Sequence, residues 1–508
     1  MAKHLCIIGA FVLVCSLGLP VFAQMDHSFL IQNYEGAKTC ETCHAGTVEH
    51  IQSTVHYKFE SPVPEGYLFE EDGVTPHETE VSGKLWKLCG FPTTVPQFNW
   101  MGNLKDDPTT PHIDKPGGCA KCHIGVGYKP YSATGLDTPA ENETYNVDCL
   151  VCHAENYSRK LYAGEMNGAA VVMAAPIVDG ALDFSGMTEA AKTVGKPKSE
   201  YCNRCHAAAG GGKVALDDME YSFKRGSIYD EDHDVHAAAG MACTDCHSLR
   251  EFKGDHRTKR NPNNDLYAFD TLVEDQMCLS CHSETPHEEG SRYNEHAGFI
   301  SCTGCHATSE GGAIRKDFAV TTEPNADDPL GLYGVKVEFA DDNFQLDFHW
   351  FNGTVKGEIE PNGSKGNGKI YPYKTVAFNQ PVDANGHPVP LKWGVMFKTG
   401  NLQEALNQGL AAYNAMITDE ILATTTLPPV PGEFAGFKES ECVFSISHGI
   451  TKEKALNCTC CHSENSVLNY ESLGFTAQEA TTLKSFNFGD DCVRSVPAAG
   501  IDQWTLFR

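Results

Sequence analysis

Apolar positions along this 508-residue chain seldom keep a regular period for long. Few segments hold a 3.6-residue repeat over four turns, which predicts short helices joined by long loops. One exception is Asn401–Leu422. Leu402, Leu406, Leu410, Tyr413 and Ile417 recur there at helical spacing and predict one substantial helix. A second, shorter helix is predicted over Thr476–Leu483. Phe348–Val395 is instead rich in Gly, Pro, aromatic and β-branched residues, a composition that predicts turns and short strands. Ala319–Gln345, just before it, is acidic. At the N-terminus, Lys3 and His4 precede an apolar run from Leu5 to Val14 and on to Leu19, followed by Pro20-Val21-Phe22-Ala23. That is the layout of a secretory signal peptide over residues 1–23. The run is short for a spanning helix, and no later stretch reaches about 18 apolar residues, so no membrane span is expected. Lipidation at Cys15 is the weaker alternative, because the Cys lies inside the apolar run behind Val14.

Superimposed on this weak periodicity is a strong repeat. Cys-x-x-Cys-His occurs eight times. The Cys pairs are Cys40 and Cys43, Cys119 and Cys122, Cys149 and Cys152, Cys202 and Cys205, Cys243 and Cys246, Cys278 and Cys281, Cys302 and Cys305, and Cys458 and Cys461. The adjoining His are His44, His123, His153, His206, His247, His282, His306 and His462. With 22 Cys and 22 His in the chain, chance predicts only about 0.04 such motifs. Each is the attachment signature of a c-type haem: two thiolates add to the vinyl groups, and the adjoining His becomes the proximal iron ligand. Zinc is the alternative, but it takes ligands from two separated pairs, and a His abutting the second Cys fits poorly around one ion. Eight covalently bound haems c are therefore expected.

The haem count changes the fold expectation. One haem per roughly 60 residues leaves little room for an ordinary hydrophobic core. The expected fold is mainly α with extensive loops and few short β strands, wrapped around the eight haems as a multihaem cytochrome c. A single domain over 24–508 is expected, with a motif-free, strand- and turn-rich insertion at about 311–441. Motif spacing marks it: 156 residues separate Cys302 from Cys458, against 24 to 53 between successive motifs from Cys119 to Cys302. The net charge is −28, which argues against nucleic acid as a partner and for a soluble acidic surface. Export and haem attachment together place the mature chain in the periplasm or at the cell surface.

Each low-spin haem needs a second axial ligand. Seven His have local settings that favour this role: His56, His236, His256, His287, His296, His349 and His448. His27, His50, His77, His112, His233 and His387 lie in polar or turn-like surroundings that fit exposed side chains. Seven distal His for eight haems would leave one haem with an open or labile position, where a substrate can bind. Outside the haem motifs, Cys442 and Cys492 could form a disulfide in an oxidising compartment. Cys460 falls inside the eighth motif, Cys458-Thr-Cys-Cys-His462, so the spacing assigns that haem to Cys458 and Cys461.

Several stretches between the motifs resemble the octahaem tetrathionate reductase family. They are Asn146-Val-Asp-Cys149-Leu-Val-Cys152-His153 with Lys160 seven residues on, Val194-Gly-Lys-Pro-Lys-Ser199 before Cys202-Asn-Arg-Cys-His, Gly210-Gly-Gly, and Asp234-Val-His236 before Cys243. Trp350-Phe-Asn-Gly-Thr and Ile370-Tyr-Pro-Tyr-Lys are further matches, and the resemblance runs from Cys40 to His462. It implies a periplasmic octahaem enzyme related to hydroxylamine oxidoreductases and pentahaem nitrite reductases, with haems in stacked and angled pairs. It further implies a catalytic haem on Cys119, Cys122 and His123, with Lys160 as an axial amine ligand. Cys89 falls where the family has a non-haem Cys near that site, and Asp148 is an acidic neighbour. The Ser61–Lys84 and Phe91–Lys115 stretches look long and irregular beside the family's pattern, and the second bears on substrate access.

The expected function is reduction of a small sulfur or nitrogen oxyanion or nitrogen species at one haem. Tetrathionate, nitrite and hydroxylamine are the leading substrates. A periplasmic or membrane-bound cytochrome or quinol dehydrogenase would donate the electrons. Two rivals stand beside it: a hydroxylamine-oxidising enzyme, and a non-catalytic conduit in which all eight haems are bis-His.

Overall fold

The computed structural model describes residues 26–52, 147–157, 181–206, 229–247, 278–308, 314–324, 333–339, 346–353, 361–417 and 432–494, with short pieces at 56, 60–62, 81–83, 124, 162–166, 169–175, 177–179, 222–223 and 226–227. Helices around the motifs are short, as the broken periodicity predicts. Leu150–His153, Ser199–His206, Cys243–Cys246 and Cys302–His306 are typical. Both predicted longer helices are present with small shifts, at Leu402–Ile417 and Ala477–Lys484. Local chemistry sets where they begin. Asn401 Oδ1 accepts from the Glu404 amide at 3.0 Å. Thr476 and Glu479 form a reciprocal capping box, which satisfies two otherwise orphaned amides.

The strands are more extensive than expected. Five form one mixed sheet: β1 (Ile314–Thr322), β2 (Gly334–Phe339), β3 (Asp347–Phe351), β4 (Lys369–Val382) and β5 (Gly436–Ser445). The 14-residue β4 organises it. It pairs antiparallel with β3 through Lys369–Tyr373 and with β5 through Tyr373–Val382. Through Val376–Asn379 it pairs parallel with β1. The sequence pattern hides this strand for two reasons. Ile370, Tyr371, Tyr373, Lys374, Ala377, Phe378, Gln380 and Val382 are all buried, so both faces are covered and no apolar–polar alternation appears. Pro372 and Pro381 also punctuate the run and read as turn residues.

This sheet carries a hydrophobic core of its own. Phe318, Val335, Phe378, Val389, Leu391, Trp393, Met396, Ala405 and Leu406 pack together. The Trp393–Thr399 helix ends at Gly400, whose φ of 64° is the left-handed turn that lets its amide bond Met396 O at 2.9 Å. The chain then enters the Leu402–Ile417 helix and returns Leu406 to the same core.

A second cluster joins the sheet to the haem-binding segments. It contains Ala307, Leu346, Phe348, Trp350, Ile370, Ile446, Leu456, Cys460 and Tyr470. Backbone bonds fix the junction: Ser301 N donates to Ile370 O at 3.0 Å, and Ile370 N donates to Phe299 O at 2.8 Å. Trp350 Nε1 donates to Leu473 O at 2.8 Å. The sheet therefore buttresses the seventh and eighth motifs.

Candidate haem-ligand array

Seven of the eight motifs fall within the described residues, each on a short helical turn; the second, with Cys119, Cys122 and His123, falls outside. The turn is what the chemistry needs. One helical turn brings both Cys and the following His to one side. Six of the seven motif imidazoles face a second imidazole. His44 and His27 have ring centroids 6.3 Å apart, His206 and His56 6.2 Å, and His282 and His236 6.2 Å. His247 and His448 are 6.1 Å apart, His306 and His287 6.0 Å, and His462 and His296 6.1 Å.

These separations are too long for ring contact and too uniform for accident. A metal–imidazole bond of about 2.0 Å plus roughly 1.1 Å from nitrogen to ring centre, doubled, gives about 6.2 Å. Six pairs at that distance fit an iron held between two axial His, with the porphyrin plane in the gap. The motif residues thus fit covalent haem on an observation independent of the repeat itself.

Several motif His are oriented by Nδ1. His153 Nδ1 meets Gly195 O at 2.9 Å, His306 Nδ1 meets Thr451 O at 2.9 Å, and His462 Nδ1 meets Leu483 O at 3.0 Å. Each Nδ1–H donates to its carbonyl and fixes the ring, which would leave Nε2 for a haem iron. His236 is different, because its Nδ1 meets the carboxylate of Asp234 at 3.2 Å. Burial raises the Asp234 pKa, but hydrogen bonds from His236 and the Ile450 amide outweigh it and hold the carboxyl below its usual range.

Apart from His27, the facing His do not pair with the motif nearest in sequence. His56 follows the first motif but faces His206 of the fourth. His236 precedes the fifth and faces the sixth, while His287 follows the sixth and faces the seventh. His296 precedes the seventh and faces the eighth. His448 lies only ten residues before Cys458 yet faces His247 of the fifth. Neighbouring motifs are interlocked in this way.

Motif neighbours form an unbroken series. The Cys40 and Cys149 sulfurs are within hydrogen-bonding reach, as are those of Cys202 and Cys243. Cys152 lies close enough to act electrostatically on Cys202, and Cys278 and Cys281 on Cys246. His282 does so on His306, and Cys305 on Cys461. The order is first, third, fourth, fifth, sixth, seventh, eighth. Arg204, inside the fourth motif, ties it to the third by donating to Val151 O and Ala154 O at 3.0 and 2.9 Å.

Asp148 is 3% exposed and accepts from the Tyr157 hydroxyl at 2.8 Å. Its amide donates to Ile124 O at 2.8 Å, one residue beyond His123. Ile124 packs with Ala37, Val48, Val147 and Val151. Ile124, the residue after His123 in sequence, therefore lies between the first and third motifs. Cys89, Lys160 and His256 lie outside the described residues, as do residues 1–25.

Two sequence expectations need correction. His27 is not a freely exposed side chain but half-buried and opposite His44. The signal for it was its place in a short turn, His27–Leu30, whose start Asp26 caps. His349, on β3 with its ring 5.6 Å from Tyr373, is not among these corrections, because His123 lies outside the described residues. The disulfide joins Cys492 to Cys460, not to Cys442. Asn457 Nδ2 donates to Asp490 and to Asp491 O, and Thr459 Oγ1 to Asp490, so the C-terminal segment is drawn across the eighth motif. The bond removes Cys460 and leaves Cys458 and Cys461 as free thiols.

Comparison with known proteins agrees with this geometry. Residues 334–465 match the family described as Cytochrome c bacterial. An uncharacterized protein of Archaeoglobus fulgidus is 28% identical over 262 residues, covering 45% of this chain and 79% of that one. The crystal structure of octaheme cytochrome c from Shewanella oneidensis superposes with a TM-score of 0.56 at 19% identity, covering 89% of this chain and 97% of that one. The eight Cys-x-x-Cys-His motifs and the six facing imidazole pairs are the features that a multihaem c-type cytochrome needs. More particularly, the fold is that of an octahaem cytochrome c. Among the described residues no helix is long and apolar enough to cross a membrane.

Proposed function

We propose that this chain is an exported octahaem cytochrome c that gathers electrons along seven haems and delivers them to an eighth, on Cys119, Cys122 and His123, where a small sulfur or nitrogen oxyanion or nitrogen species is reduced. The observation that carries the reading is the set of six imidazole pairs at 6.0–6.3 Å. Bound haem supplies one-electron Fe(III)/Fe(II) chemistry. The polypeptide holds the ligands in place, fixes ring orientation through Nδ1, and keeps neighbouring motifs in contact.

An iron held by His on both sides would transfer electrons and leave no place for a substrate. The resemblance to the octahaem tetrathionate reductase family implies the second motif as the substrate-binding site, where Lys160 is the proposed axial amine. A lysine ligates only when neutral, and burial favours that form. Asp148 and Cys89 are the proposed neighbours of the site. Asp148 supports this role through its amide bond to Ile124 O, and Tyr157 holds its carboxylate three residues before Lys160. Moving a proton toward reduced substrate is the role proposed for this carboxyl. Tetrathionate, nitrite and hydroxylamine are the proposed substrates, and a periplasmic or membrane-bound cytochrome or quinol dehydrogenase is the proposed donor.

Low-temperature EPR of the oxidised protein, titrated with cyanide and then nitrite, tests this. One haem should change its signal while the others keep bis-His spectra, and Lys160→Ala should alter that haem alone. If no haem responds, the protein is a conduit and the enzymatic reading fails. Turnover assays with the three substrates then choose among them.

A further inference from the structure

We infer that Asp234 is a positioning residue that sets the electron-donor strength of the distal imidazole on the sixth haem and locks it to the distal ligand of the fifth. The inference rests on the reading that His236 and His282 are an axial pair.

Asp234 is 3% exposed, and both carboxylate oxygens are engaged. Oδ1 accepts from the His236 amide at 2.9 Å and faces His236 Nδ1 at 3.2 Å. Oδ2 accepts from the Gly449 amide at 3.1 Å and the Ile450 amide at 2.9 Å. Val235 N adds a bond to Ile450 O at 2.9 Å. One carboxylate thus grips the ring of His236 and the backbone immediately after His448. His448 in turn faces His247, the proximal ligand of the fifth haem.

The junction leaves little freedom. Gly449 has a φ of 76°, and a Cβ there would lie 2.7 Å from Thr308 O and 2.9 Å from Ser227 Cβ. Only glycine lets the chain pass while presenting its amide to Asp234. The carboxylate is therefore held by a fixed backbone and cannot follow the ring if the ring moves.

The chemical consequence follows from the acceptor's charge. His153, His306 and His462 donate Nδ1–H to neutral carbonyls. A carboxylate pulls harder on the Nδ1 proton and gives the ring partial imidazolate character. A more anionic ligand stabilises Fe(III) over Fe(II) and lowers the reduction potential. The sixth haem should thus sit lower in potential than its carbonyl-partnered neighbour, the seventh. An electron moving along the series meets a step there, between the sixth motif and the seventh.

The test is a potentiometric titration of the full holoprotein, followed by optical and EPR spectra. Asp234→Asn should raise the midpoint of one haem while eight haems remain attached, and Asp234→Glu should bring it back toward wild type. A wild-type titration for Asp234→Asn would show that Asp234 only caps its turn and would overturn the inference. His236→Ala separates the two levels of the argument. One haem turning high-spin supports the ligation reading, so an unmoved Asp234→Asn titration then counts against Asp234 alone. All haems staying low-spin removes the ligation reading and the inference with it. Should Asp234→Asn not mature, near-infrared magnetic circular dichroism of the wild-type protein decides. One charge-transfer band shifted to shorter wavelength than the bis-imidazole bands supports the inference, and bis-imidazole bands alone overturn it.

Discussion

The sheet of β1–β5 and the motif-bearing segments are built on opposite principles. The sheet buries Phe318, Phe378, Leu391, Trp393, Met396 and Leu406 against one another, so its stability comes from its own side chains. The seventh and eighth motifs share their cluster with the sheet. Around the first and third motifs the clusters are smaller: Ile31, Tyr34, Leu150 and Ala191 in one, and Ala37, Val48, Ile124, Val147 and Val151 in the other. What holds the motif segments is hydrogen bonding to backbone carbonyls, from the Arg204 guanidinium to Val151 and Ala154 and from Thr451 N to His306 O. On this comparison the sheet should hold its fold without haem, and the first to sixth motifs should need it.

The sharpest way to break this comparison is to withhold haem. When the chain is made without haem attachment, the motif segments should become protease-sensitive while a β-rich fragment centred on 314–445 survives. Limited proteolysis with mass spectrometry reads this directly. Equal loss of both regions would show that the sheet depends on haem as well.

Next in size is a cut into the sheet's own core. Phe378→Ala removes a fully buried ring and should cost about 3–5 kcal/mol of stability. Its first effect belongs in denaturant unfolding followed by far-UV circular dichroism. The haem absorption spectrum should stay unchanged until the sheet melts. An early haem change would mean that the two regions unfold as one.

Cys492→Ser probes the opposite region. The Cys460–Cys492 bond closes a loop with a separation of 32 residues, and its loss should cost about 2–4 kcal/mol. Arg494 donates to Cys305 O at 2.7 Å and so still ties the segment to the seventh motif. Hydrogen exchange should rise over 457–462 and 485–494 and leave β1–β5 protected. In the wild-type protein, peptide mass mapping should find haem on Cys458 and Cys461 and never on Cys460.

The smallest effect is at the junction. Glu479 is lowered from 4.5 to about 2 by the Lys365 hydrogen bond first and the Thr476 amide second. A depressed carboxyl stabilises the fold above its unfolded pKa and loses that contribution as pH falls through the folded one. The capping of Ala477–Lys484 should therefore weaken between pH 4.5 and about 2. Melting temperatures of wild type and Glu479→Gln should differ at pH 5 and converge near pH 2. A constant gap would assign the effect to packing.

Legibility in the sequence followed the same division. The motifs announce themselves because covalent chemistry demands a fixed spacing, and the Leu402–Ile417 helix shows because one face is solvated. β4 did not show, since burial on both faces erases its period and Pro372 and Pro381 imitate turns. Distal ligands were harder again. Local setting selected His56, His236, His287, His296 and His448, but which motif each faces is long-range information that no window contains. His27 was missed because its polar neighbours, Asp26 and Ser28, cap its own turn instead of solvating its ring. Asp148 was legible through its place before Cys149, whereas its bond to Ile124 required the fold.

The central claim is that the six imidazole pairs are axial ligand pairs. An anomalous difference map at the iron edge, from crystals of the holoprotein, tests it most directly. The account predicts an iron peak midway between the two rings of each pair, from His27 with His44 through His296 with His462, with both Nε2 atoms about 2.0 Å from the metal. An iron at any of these positions ligated by a different side chain, or a pair with no iron between its rings, would contradict it.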